Sequence, residues 1–113
     1  MAFGTLLIGA DTYNGAGPGE YVKSTVLFGQ PTNAIKLAPG KRANAKAPTT
    51  FSVTRVLEKD VTVSDEVIRR RMTVNVQMNV PDGFTMAEVD LAIGDIATLA
   101  SDSFLTRLAL GES

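Results

Sequence analysis

Residues 69–80 read RRRMTVNVQMNV, three consecutive arginines followed by strict alternation of two chemistries. Met72, Val74, Val76, Met78 and Val80 fall on one parity, and Thr73, Asn75, Gln77 and Asn79 on the other. Successive side chains of a strand point to opposite faces, so a period of two describes a strand with one apolar face and one neutral, hydrogen-bonding face. Amides and hydroxyls offer both donors and acceptors, and the arginines add fixed positive charge. A second basic group sits in APGKRANAKAP, residues 38–48, where Lys41, Arg42 and Lys46 occur with no acidic residue and no large apolar one. That composition reads as an exposed loop, either a solvated connector or a contact for a polyanion.

Other chemistries are poorly served. The 113 residues contain no histidine, cysteine or tryptophan, which removes the commonest general base, thiolate ligands and disulfides. Absence of cysteine fits a reducing compartment. Asp60, Asp65 and Glu66, or Glu88 with Asp90 and Asp95, are the only acidic groupings that invite a metal or acid–base reading. No nucleophile or glycine-rich phosphate loop accompanies them, so they read as solubilising charges and the chain as a non-enzyme with no cofactor and no metal site.

The net charge of −1 conceals an asymmetry. Residues 21–80 hold ten Lys and Arg against four acids, whereas residues 81–113 hold Arg107 against six. Hydrophobic residues make up 44 % of the chain and charged ones 20 %, which argues for one folded domain over residues 1–113 rather than a disordered tail. No apolar run reaches the roughly 18 residues that span a bilayer, and MAFGTLLIGADTYN lacks the basic start of a signal peptide.

The elements that would position these groups follow from pattern. FGTLLIGADTYN predicts a strand of about six residues, the Gly/Pro-dense NGAGPG (14–19) a hairpin loop, and EYVKSTVLF (20–28) the returning strand. A short strand is expected at Ala34–Leu37, a long strand or pair of strands at Thr49–Val63, a turn at 64–66 and the arginine strand after it. Beyond Pro81-Asp82-Gly83 the period changes: Met86, Val89, Ile93 and Ile96 fall at helical spacing, with Thr85 and Glu88 placed as a capping box. Ser101-Asp102-Ser103 breaks that helix, and a short second one carries Phe104, Leu105 and Leu108 to a stop at Gly111. Strands first and helices last give an α+β fold, with a sheet region at 1–80 and a helical region at 84–110.

About 25 helical residues cannot cover a sheet of four to six strands. The long helix carries apolar Leu91 and Leu99 away from its main stripe, and Gly94 in its middle costs roughly 1 kcal/mol relative to alanine. Both features suit an element that docks on a second subunit, with Met86, Val89, Ile93, Gly94, Ile96, Phe104, Leu105 and Leu108 as the expected interface.

The order TFSVTRVLEKDVTV, RRRMTVNVQMNVPDGFT and AEVDLAIGDIATLASDSFLTRLALGES resembles the coat proteins of single-stranded RNA bacteriophages, the levivirus-like group. The resemblance runs nearly the full length and is most specific in the C-terminal half; the PDG connection is shorter than in better-known members. It implies an interlocked dimer with one continuous antiparallel sheet, helices reaching over the partner, and an icosahedral T=3 shell around genomic RNA. It further implies recognition of an RNA stem-loop as packaging signal and translational repressor, a maturation protein as another partner, and assembly of the virion in the bacterial cytoplasm. No membrane or small-molecule substrate is implied. On that plan Thr73, Asn75, Gln77 and Asn79, with Ser52 and Thr54 of compatible parity, would meet bases and riboses. Arg55, Lys59, Arg69, Arg71, Lys41, Arg42 and Lys46 would neutralise phosphates. The alternative is a dimeric nucleic-acid-binding regulator that forms no shell.

Overall fold

The computed structural model describes residues 4–27 and 29–112. The chain divides into two compact units, residues 1–79 and 80–113. The first is an antiparallel meander, β1 (Thr5–Ile8), β2 (Asp11–Gly17), β3 (Glu20–Lys23), β4 (Asn33–Lys41), β5 (Thr49–Val63) and β6 (Glu66–Val80), in which every strand neighbours the next in sequence. The second holds α1 (Met86–Leu99) and α2 (Asp102–Ala109).

The first strands differ from the expected single hairpin. The chain already turns at Gly9, whose φ of 59° is left-handed, and the expected loop 14–19 contributes its first four residues to β2. Two features make a strand of this glycine-rich segment. Asn14 is paired on both sides, with Thr5 and Val22, and Gly15 lies opposite Tyr21. An aromatic ring beside a residue with no side chain completes the face that the glycine leaves empty. The tight turn comes later, at Gly19 (φ 68°), where any Cβ would collide with the Leu37 carbonyl. The returning strand ends at Lys23, well short of the expected Phe28, which lies outside the described residues. In turn β4 is longer than the expected Ala34–Leu37, and the basic loop shrinks to residues 42–48.

Paired residues of an antiparallel ladder share a face, and the registers therefore sort the side chains. Tyr21 pairs with Ile35, Ile35 with Arg55 and Leu6 with Tyr13. Tyr13, Tyr21 and Ile35 are buried together, with Leu6 and Leu37 packed against them, and Tyr13 is only 1 % exposed. Arg55 closes this core. Its guanidinium lies 5.0 Å from the centre of the Tyr13 ring and donates to the Tyr13 hydroxyl (2.6 Å), Asn33 Oδ1 (2.5 Å) and the Ala34 carbonyl (3.2 Å). A charge beside apolar rings is tolerated because its donors find acceptors there.

The β5–β6 hairpin turns on Ser64 (φ 50°) and Asp65 (φ 65°), the paired left-handed conformation of a two-residue turn that matches strand twist. In the helical unit the expected caps are present. Thr85 Oγ1 accepts from the Glu88 amide while Glu88 Oε1 accepts from the Thr85 amide, and Ser101 caps α2 through the Phe104 amide. Gly111, at φ 94°, follows the end of α2.

Candidate functional site

The polar parity of β6 is organised by β5. Thr54 Oγ1 donates to Asn75 Oδ1 at 2.8 Å and Thr50 Oγ1 donates to Asn79 Oδ1 at 3.1 Å. The same register sets Ser52 opposite Gln77, whose amide nitrogen lies 3.5 Å from Asn79 Oδ1. Each threonine fixes its asparagine with the carbonyl oxygen turned inward along the sheet, and this leaves the amide NH₂ groups as donors at an exposed surface. The result is a band of oriented hydroxyls and amides formed by Thr50, Ser52, Thr54, Asn75, Gln77 and Asn79. Thr73 continues it on the same parity of β6.

Towards the hairpin turn the same face carries ion pairs. Arg71 lies 3.4 Å from Glu58 and Arg69 lies 3.1 Å from Asp60. Glu58 also accepts from the Thr32 amide at 2.9 Å, and these bonds, Thr32 before Arg71, hold its carboxyl below the usual glutamate range. The bond to Asp60 raises the Arg69 pKa.

Arg55 is a correction to the expectation from sequence. It pairs with Ile35 while Thr54 pairs with Lys36, and so it belongs to the opposite face, tied to Tyr13 and Asn33. Lys59 has the parity of Arg55 along β5 and leaves the group for the same reason. Lys41 joins the group by a route that simple alternation misses. Ala38 pairs with Ser52 but Lys41 pairs with Thr50, a one-residue slip between Ala38 and Lys41. The bulge turns Lys41 onto the face of Thr50, where unbroken alternation would set it with Leu37. Lys36, not singled out in the sequence, stands opposite Thr54 on that same face and is exposed. Its signal was there in KLAPGK, but only the register reveals it. Arg42 and Lys46 lie in the loop, with Arg42 Nε donating to the Ala47 carbonyl (2.9 Å) and the Lys46 amide to Asn44 Oδ1 (2.9 Å).

No protein-family model and no curated protein sequence matches the chain. Solved structures do. The virus-like particle of Wenzhou levi-like virus 1 contains a chain 32 % identical, aligned over 100 % of both chains with a TM-score of 0.94. This protein is a member of the levi-like virus coat-protein family. The fold alone is shared with the virus-like particle of bacteriophage AVE019 (12 % identity, TM-score 0.67, 96 % of this chain and 94 % of that one). It is shared likewise with that of Beihai levi-like virus 21 (10 % identity, TM-score 0.65, 93 % and 89 %).

The coat protein leaves much apolar surface open within one chain. On β6 the apolar parity, Met72, Val74 and Val76, is exposed, and Val53 beside it on β5 is 40 % exposed. Neither helix has a buried residue. Met86, Ile93, Ile96, Phe104, Leu105 and Leu108 are all exposed, Val89 is half-buried, and Leu91 on another side of α1 is 68 % exposed. Gly94 faces open space, with no atom near the position a Cβ would take. So many exposed large apolar side chains are uncommon on a soluble monomer. No group of acidic residues capable of holding a metal occurs among the described residues.

Proposed function

We propose that this coat protein forms an interlocked dimer through its helices and the long β6 edge, and that these dimers build a virion shell around single-stranded RNA. The full-length match to a chain of a virus-like particle carries the shell reading. The exposed apolar residues of β6, α1 and α2 support the dimer, since burial of apolar surface is the main driving force for association. The role is structural, not catalytic. Absence of cysteine suits assembly in the reducing cytoplasm of the host.

The polar face is the RNA side of the shell. Its support is the band of oriented amides and hydroxyls at Thr50, Ser52, Thr54, Asn75, Gln77 and Asn79. Groups of this kind hydrogen-bond the edges of unpaired bases and the ribose 2′-hydroxyl, the features by which single-stranded RNA is read. A stem-loop bound there would serve as packaging signal and repressor.

Electron microscopy of the purified protein, with the ratio of absorbance at 260 and 280 nm, tests both parts. Shells containing nucleic acid are expected; a small dimer in light scattering would favour a regulator without a shell. Replacing Asn75 and Gln77 together by alanine should leave shells intact, within about 1 kcal/mol of stability. It should also weaken binding of a cognate hairpin by roughly 1–3 kcal/mol for each base that an amide reads, with little change in salt dependence. A double variant that binds every RNA like the parent, with unchanged packaged content, would reduce this face to a solvated one.

A further inference from the structure

The RNA-facing reading leaves open which charges on that face meet phosphate. We infer that Lys36 and Lys41 are its phosphate-contacting side chains, and that Arg69 and Arg71 are not; this inference rests on the RNA-facing reading above.

The face has two zones of different electrostatic character. Near the hairpin turn each arginine has a carboxylate partner, Arg71 with Glu58 and Arg69 with Asp60, so that the zone carries no net charge. Glu58 is further anchored to Thr32 through two bonds, its carboxylate taking the Thr32 amide and its own amide donating to the Thr32 carbonyl at 2.7 Å. An arginine beside so firmly held a carboxylate keeps N–H donors to spare, but its positive charge is already balanced. Neutralising a phosphate with it would leave Glu58 facing the RNA backbone, a like-charge contact. The net gain is small.

The lysines lie at the other end, beside the amide band. Lys36 is the cross-strand partner of Thr54, which bonds Asn75, and Lys41 is the partner of Thr50, which bonds Asn79. Each row therefore runs lysine, threonine, asparagine across three strands at spacings of about 4.8 Å. A nucleotide lying on a row would have its base over the asparagine and its phosphate towards the lysine. The four residue steps from Thr50 to Thr54 separate the rows by roughly 13 Å. Neither lysine makes an ion pair among the described residues. Glu20, opposite Lys36 on β3, sets its carboxylate over Gly17 instead. The bulge at Pro39-Gly40 is what makes the arrangement two-rowed, since without it Lys41 would belong to the opposite face.

The test is the salt dependence of binding of a 20-nucleotide oligouridylate to the purified protein, followed by fluorescence anisotropy between 50 and 400 mM salt. On single strands each phosphate contact contributes about 0.7 to the slope of log K against log salt. Lys36→Ala and Lys41→Ala should each flatten the slope by about that amount per phosphate, and Lys36→Arg should restore it. The charge-neutral double variants Glu58→Gln with Arg71→Gln, and Asp60→Asn with Arg69→Gln, should leave the slope where it was. Parental slopes in both lysine variants, or a flattened slope in either double variant, would overturn the inference while the RNA-facing reading stands. A parent protein that binds no oligouridylate at any salt would overturn both. Lys36→Gln and Lys41→Gln, with far-UV circular dichroism, separate a lost charge from a lost fold.

Discussion

The first four strands and the final hairpin with its helices solve the problem of burial in different ways. Strands β1–β4 make a small closed core within one chain, where Tyr13, Tyr21 and Ile35 stack from successive strands and Arg55 seals the edge with three hydrogen bonds. Strand β6, α1 and α2 bury nothing, although they hold many of the large apolar residues. One region is finished by its own sequence; the other is written for a neighbour. Stability of the first should be a property of the chain, and that of the second a property of its concentration.

The sharpest way to break this contrast is a charge on α1. Ile96 is 61 % exposed in the single chain, where an aspartate would change stability by no more than about 0.5 kcal/mol. In a dry interface the same charge is prohibitive. Ile96→Asp should therefore give insoluble or unfolded protein, and sedimentation of a soluble folded monomer would remove the interlocked dimer. Next in size, Tyr13→Ala should cost about 3–5 kcal/mol through the cavity and the orphaned Arg55 donor. Urea unfolding at several protein concentrations checks it, because the deficit should persist at all of them. Thr85→Ala removes the reciprocal cap of α1 and should cost about 1 kcal/mol, read from the unfolding midpoint.

The smallest effect concerns acid. The Glu58 carboxyl is lowered in the folded state, first by its bonds to Thr32 and then by Arg71. Its contribution is present above the ordinary glutamate range and is lost as pH falls through the lowered value, when the unfolded chain binds the proton more readily. Glu58→Gln should flatten the acid limb of a stability–pH profile by lowering the neutral plateau slightly, with the stability at the acid end nearly unchanged. An identical acid limb in the two proteins would show that the carboxylate has no linkage to folding.

Periodicity made part of this molecule legible from sequence. The alternation at 72–80, the turn at Ser64-Asp65 and the Thr85–Glu88 box each depend on neighbours a few residues away, and each stands where the residues predict. What the sequence hid depends on partners far along the chain. Asn14–Gly17 has the composition of a loop and is a strand because Thr5, Val22 and Tyr21 pair with it. Arg55 and Thr54 are adjacent in a basic stretch, yet only the pairing with Ile35 and Lys36 assigns them to different faces. Lys41 was legible as basic but not as part of the sheet, since a bulge leaves no pattern of its own beyond Pro39-Gly40.

That bulge has a consequence for how the gene can vary. Codon changes along β4 that keep its length alter one side chain at a time, and most such steps are mild. Loss of the codon for Gly40 would remove the extra residue of the bulge and leave Lys41 opposite Thr50 by plain alternation. A single gain or loss that kept the bulge would turn Lys41 to the other face, because the facing of a side chain depends on whether a count is odd or even. Lineages of this coat protein should therefore keep Lys36 and Lys41 and hold both on one face, either with the bulge or with the segment one residue shorter. Gains and losses of residues would collect in the loop at 42–48, where no count is being kept.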